Sequence, residues 1–231
     1  MKNYQVNQSN FINNTFRILF IVSVLFMAVM PVSVQASNVP VTGNSPVSPV
    51  RFAGNQPEPT TYLPSLDTFV ENLASGEADQ IVGVYQEDLF AQRVVQQPAN
   101  DAAYVSPFDN QVTQFNMVNS LTGNLGLLAH NYLSGKYFFE MEIGAPIEVV
   151  FGDGSVEEFE VSQILSYQAL SPHDVYSDFV NVDTGAKLSA TNLFEQVYGG
   201  SYHLTLQTCI RKGDEFSWGR LFVIATPVES H

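Results

Sequence analysis

Residues 201–227, SYHLTLQTCIRKGDEFSWGRLFVIATP, restrict the fold of this chain more than any other stretch. The first part, 202–210, alternates Leu204 and Leu206 with His203, Thr205, Gln207 and Cys209, the period of a β-strand. The second, 220–226, is rich in branched and aromatic residues and reads as another strand. Between them, residues 211–219 are charged and hold two glycines, the composition of a surface loop. Folding the stretch back around Asp214 and Glu215 gives an antiparallel hairpin that sets Cys209 opposite Arg220. Facing residues in such a ladder lie only ~4.5–5.5 Å apart. The only cysteine of the chain is therefore expected beside a permanent cation.

The chain from residue 80 onward continues the β pattern. Strands are expected over 80–85, 89–95, 126–131, 147–151 and 158–167, besides the two of the hairpin. Asp153-Gly154 supplies a turn signal between the fourth and the fifth. Short strands separated by turns, with few helices, predict an all-β sandwich or barrel. Two helices interrupt the pattern. Residues 65–75 place Leu66, Phe69, Val70 and Leu73 on one stripe, with Ser65 to cap the start, Asp67 and Glu71 early and Gly76 to end it. Residues 189–197 (SATNLFEQV) form the other, capped by Ser189 or Thr191.

Ahead of this domain lie two segments of different composition. Residues 18–30 form an uncharged run of thirteen residues behind Arg17, apolar but for Ser23. A helix of that length rises only ~20 Å against a hydrocarbon core of ~30 Å. With Val34-Gln35-Ala36 behind it, the segment fits a secretory signal cleaved after Ala36, or else an uncleaved membrane anchor. Either reading places the remainder outside the cytoplasm, secreted or anchored at the cell surface. Residues 37–64 carry six prolines among small polar residues and read as an extended linker. The organisation is thus 1–36 signal or anchor, 37–64 Pro-rich linker, and 65–231 folded domain.

A formal net charge of −14 argues against nucleic acid or anionic lipid as a partner and suits neutral or basic peptides. No cofactor is expected. Glu140, Glu142 and Glu148, or Asp153, Glu157, Glu158 and Glu160, could offer oxygens to calcium, but their spacing fits no compact binding loop. No arrangement of histidine and cysteine suggests zinc.

The thiol is the feature with chemical content. A guanidinium beside Cys209 favours the nucleophilic thiolate, or could hold the oxyanion of a tetrahedral intermediate. The plainer reading is a small buried cysteine next to an arginine that closes a strand. A cysteine nucleophile also needs a proton-transfer partner, and four histidines compete. His203 shares a strand face with Cys209 but lies six residues, ~20 Å, along it. His231 ends the chain. His173 sits in a turn, and His130 closes a predicted strand before a polar loop.

Thr205-Leu206-Gln207-Thr208-Cys209, with Arg220 opening the next strand and Leu127-Leu128-Ala129-His130-Asn131 upstream, resembles the signature of the sortases. These are cysteine transpeptidases that attach proteins to cell walls or build pili. Ala129 departs from the glycine usual before the histidine, whereas Asn131 fits. Val94-Val95-Gln96 and the His130-Asn131 pair are similar to class B members. The resemblance implies a closed barrel of seven or eight strands with a short N-terminal helix. It implies catalysis by Cys209, His130 and Arg220, with Thr208 adding a hydroxyl or backbone donor to the same site. It further implies protein substrates with a C-terminal sorting motif, and an amine acceptor from peptidoglycan or pilin. The specificity pocket is expected around residues 175–182 and 211–219. An exported cysteine peptidase, or a non-catalytic peptide-binding barrel, is the alternative.

Overall fold

The computed structural model describes residues 63–174 and 176–229, so the signal or anchor segment, nearly all of the linker and His231 lie outside the described residues. Helix α1, Leu66–Leu73, begins where Ser65 accepts a hydrogen bond from the Thr68 amide. Its apolar stripe, centred on buried Phe69, packs on Val82, Tyr85 and Val150.

The strands are β1 (Ile81–Gln86), β2 (Phe90–Gln96), β3 (Gln111–Gln114), β4 (Leu125–Leu128), β5 (Pro146–Phe151), β6 (Val156–Ala169), β7 (Phe179–Asn181), β8 (Lys187–Leu188), β9 (Leu204–Lys212) and β10 (Glu215–Pro227). They hydrogen-bond in the order β10-β9-β4-β3-β2-β1-β5-β6-β7-β8, and β10 also pairs with β6. That last pairing closes an eight-stranded barrel, with β7 and β8 as an extension beyond β6. The pairs β2/β3 and β4/β9 are parallel and the others antiparallel. The fold is therefore the closed, mainly β barrel with a short N-terminal helix that the sequence led us to expect.

Strand alternation sorts the side chains into two sets. Ile81, Val84, Val94, Val112, Leu127, Val149, Leu206 and Val223 fill the barrel. Leu128, Tyr167, Cys209, Phe222 and Ile224 face outward and are covered by helices α2 (Asn116–Thr122) and α3 (Ala190–Tyr198). Ser189 caps α3 by accepting from the Asn192 amide. Because both faces of β9 are covered, every residue from Leu204 to Cys209 is buried. The polar residues of its outer face are paired accordingly. Thr205 Oγ1 donates to the Val197 carbonyl at 2.6 Å, and Tyr198 Oη donates to Gln207 Oε1 at 2.6 Å.

Three departures from the sequence reading have physical reasons. β3 holds one aliphatic residue among polar ones, and α2 starts at Phe115 without a side-chain cap, so neither carries a strong local signal. The loop expected over 211–219 shrinks to a turn at Gly213-Asp214, where Gly213 takes φ +61°. A register shift between Glu215 and Gly219 absorbs the remaining residues within the ladder. Lys212 Nζ lies 4.6 Å above the Trp218 ring, and the Arg211 guanidinium 4.2 Å above Phe216, so this charged stretch pairs as strand instead of looping into solvent.

Candidate active site

The ladder registers build the site. In β9/β10, Cys209 pairs with Arg220, and in β10/β6, Arg220 pairs with Tyr167. On the other side of β9, the parallel ladder with β4 pairs Leu128 with Gln207, and the Ala129 amide continues it by donating to the Gln207 carbonyl at 3.1 Å. Residue parity puts Cys209, Arg220 and Tyr167 in one row on the outer face of the barrel wall, and His130 follows just beyond the end of β4 at Leu128. Residues far apart in sequence meet here because β4 inserts beside β9.

Cys209 is 3% exposed and Arg220 2% exposed. A buried guanidinium must be hydrogen-bonded. One of its terminal nitrogens donates to the carbonyls of Ser217 (3.0 Å) and Gly219 (2.8 Å), which fixes the side chain at the bulge of β10. Burial pushes the Tyr198 hydroxyl far above its ordinary pKa, with the Arg220 charge opposing. Tyr198 therefore stays neutral above this row. Nearby, the Glu215 carboxyl is held below the usual range by the Ser217 amide first, and then by His173 and Arg220.

His130 is half-buried, and its ring stacks on Tyr132 with centroids 5.3 Å apart and planes 20° from parallel. Burial lowers its pKa, and a hydrogen bond to the backbone of Val105 pulls it partly back. The neutral imidazole is thereby favoured at neutral pH, with one ring nitrogen engaged by the chain. The backbone behind it is equally constrained. The His130 carbonyl accepts from the amides of Leu133 and Gly135, each at 3.0 Å, in the turn leading to a 3₁₀ helix, Ser134–Phe139. A Cβ on Gly135 would collide with Thr208 Oγ1 and stand 2.8 Å from the His130 carbonyl oxygen, so only glycine fits this approach.

Thr208 is placed differently from the expectation. One residue before outward-facing Cys209, it points inward, is fully buried, and donates its hydroxyl to the Ala129 carbonyl at 2.8 Å. Its hydroxyl braces the strand leading into His130 instead of adding a donor beside the thiol. The other histidines lie elsewhere. His173 contacts Glu215 at 2.8 Å on an exposed turn. His203 directs Nδ1 to the Ser201 carbonyl (2.7 Å) and Nε2 to the Val197 carbonyl (3.1 Å), at the end of α3.

Beside the row lies a cavity of about 330 Å³ lined by Asn131, Tyr132, Phe139, Ile210, Arg211 and Phe216. Asn131 Nδ2 reaches the Phe216 carbonyl at 3.4 Å, tying the histidine loop to the β9–β10 hairpin. Sequence reasoning missed Tyr132 and Val105 as neighbours of His130. Tyr132 was findable, since it follows the histidine by two residues. The Val105 backbone contact left no local signal.

No family model matches the sequence, and no curated protein matches it. Among solved structures, the barrel is similar to the sortase D5 transpeptidase of Clostridium perfringens, at 14% identity and a TM-score of 0.41, covering 65% of this chain and 80% of that one. It is similar to sortase C1 of Streptococcus suis at 15% identity and a TM-score of 0.44, covering 72% and 79%. A lid mutant of sortase A from Corynebacterium diphtheriae gives 15% identity and a TM-score of 0.41, covering 65% and 71%. Superpositions this loose carry no residue roles across, and the site is read from its own geometry.

Proposed function

We propose that this chain is a sortase-type cysteine transpeptidase that cleaves a sorting-signal peptide and passes its acyl part to an amine. The observation that carries this reading is the pairing of Cys209 with Arg220 across the β9–β10 ladder, with His130 in the turn that follows neighbouring β4, joined to the TLQTC signature. A thiol alone is an ordinary core residue; a thiol opposite a held guanidinium, with an imidazole to move its proton, is equipped for acyl transfer.

In the first step Cys209 Sγ attacks the peptide carbonyl carbon, forming a C–S bond. The oxyanion that develops faces the Arg220 guanidinium. As the C–N bond breaks, the departing amine takes a proton from His130, which had received the thiol proton. The acyl group is now a thioester. In the second step an incoming amine attacks the thioester, gives a proton to His130, and the Cys209 thiolate leaves and is reprotonated. The fixed arginine costs no reorganisation at either oxyanion. The substrates are proteins with a C-terminal sorting motif of the Leu-Pro-x-Thr-Gly kind, and the acceptor is an amine of peptidoglycan or pilin. An N-terminal signal or anchor would put the site outside the cytoplasm, where both are found. No cofactor enters either step.

Intact mass after incubation with a sorting-motif peptide, with and without triglycine, tests this. A Cys209 adduct that turns into ligated product on adding triglycine is the expected result. An adduct lost only to water makes the chain a peptidase. No adduct at all leaves a peptide-binding barrel and overturns the proposal.

A further inference from the structure

The opposite end of the barrel holds a second cavity. β2 and β3 run parallel and end there at Gln96 and Gln114, while β4 runs back from it toward His130. The cavity therefore lies at the barrel end remote from the Cys209 row. Its volume is about 450 Å³, within the ~300–1,000 Å³ typical of small-ligand sites.

Val94 and Val112 face the barrel interior. Two residues on, Gln96 and Gln114 continue those inward rows into the open end, level with each other in the β2/β3 ladder. The nitrogens of two lining carboxamides are already engaged. Gln96 Nε2 donates to the Ile81 carbonyl at 3.0 Å, and Asn116 Nδ2 donates to the Gln97 carbonyl at 2.9 Å. Each keeps its oxygen, beside one remaining N–H, for the cavity. Gln114, 8% exposed, buries an Oε1 with no hydrogen-bond partner. Leaving such an acceptor unsatisfied is costly and asks for a donor. Glu77 and Asp79 add two exposed carboxylates at the rim, and among the described residues no basic side chain lines the cavity.

We propose that this barrel end binds a primary ammonium group carried on a chain, as on a lysine side chain, with Gln114 Oε1 as the buried acceptor and Glu77 and Asp79 as counter-charges. An ammonium supplies three donors and no acceptor, which suits the buried Gln114 oxygen and the two rim carboxylates. A bare metal ion fits less well. The described residues contain no group of three His, Cys, Asp or Glu side chains that could hold one. The cavity also exceeds the ~30 Å³ share of a single water many times over. This site is independent of the reaction proposed above.

The test is a ¹⁵N–¹H titration of the full chain with Nα-acetyl-lysine N-methylamide, beside its norleucine analogue, which keeps the chain and lacks the charge. The lysine probe is expected to shift the side-chain amides of Gln96, Gln114 and Asn116, and the norleucine probe to leave them in place. Gln114→Met should weaken binding about tenfold. The double variant Glu77→Gln/Asp79→Asn, at exposed positions, should abolish it and serves even if Gln114→Met fails to fold. Equal shifts from both probes, shifts from calcium chloride but none from the lysine probe, or no shifts at all would overturn the assignment.

Discussion

Cys209 and Arg220 face each other directly across the β9–β10 ladder, both buried, on the outer side of the barrel wall. The arginine is held by two backbone carbonyls of its own strand, those of Ser217 and Gly219. Cys209→Ala removes one heavy atom and should leave folding intact while abolishing adduct formation. Arg220→Lys keeps the charge but loses the planar five-donor guanidinium, including the two nitrogens beyond the one that bonds both carbonyls. Its acyl-transfer rate should fall by about 10²–10³-fold, the range for losing one oxyanion donor. Single-turnover thioester formation followed by mass measures both; an Arg220→Lys variant as fast as the parent would remove the guanidinium from the mechanism.

In the proposed reaction His130 sets the pH dependence. Burial depresses its pKa below the ordinary value of ~6.5, so the neutral base persists to lower pH than a free imidazole would. The acid limb of the rate profile should therefore fall below pH ~6.5. Tyr132→Ala uncovers a face of the ring to water and should move that limb upward. Stability is linked to the same proton. The unfolded chain takes it up first, so the contribution of His130 to stability is complete above ~6.5 and is lost as pH falls from there through the lowered folded pKa. Rate–pH profiles of parent and variant decide the matter, and an unmoved limb would show that stacking does not tune the base.

The brace behind His130 can be tested without touching the reacting groups. Thr208→Val is close to isosteric but takes the hydroxyl donor from the buried Ala129 carbonyl, a loss of about 1–3 kcal/mol. Thr208→Ser should recover most of it. Gly135→Ala forces a methyl against Thr208 and the His130 carbonyl, with overpacking of about 1–3 kcal/mol. Both variants should lower the rate of thioester formation along with the unfolding midpoint in urea. Parental stability in either would mean that the turn relaxes freely.

The parts of this site that were legible in the sequence are those encoded locally. Cys209 opposite Arg220 follows from one hairpin, whose turn, Gly213-Asp214, lies within a residue or two of where composition places it. The Ser65 and Ser189 caps announce α1 and α3 in the same way. What stayed hidden is non-local. No local pattern says that β4 lies parallel to β9, yet this pairing alone brings the segment that leads into His130 alongside the strand that carries Cys209. The sequence order of the sortase signature suggested the histidine, whereas its geometry needed the fold. The Thr208 hydroxyl is the instructive case, because strand alternation already assigns that side chain to the face opposite Cys209.

A last prediction concerns stability away from the site. Glu148 stands opposite Glu158 in the β5/β6 ladder, and its Oε2 is buried with no hydrogen-bond partner. Burial raises its pKa first, and the charges of Glu158 and Glu87 raise it further. The folded state thus holds this proton more tightly than the unfolded chain does. Stability is then greatest below the unfolded value of ~4.3 and is lost as pH rises from there through the raised folded pKa. Glu148→Gln removes the penalty. Because the side chain is only half-buried, solvent screens much of the effect, and a midpoint rise of roughly 1–3 °C at pH 7 is expected. The gain should vanish near pH ~4, where the parent carboxyl is already protonated. Thermal melts at the two pH values check this, and a gain of equal size at both would point to packing instead of charge.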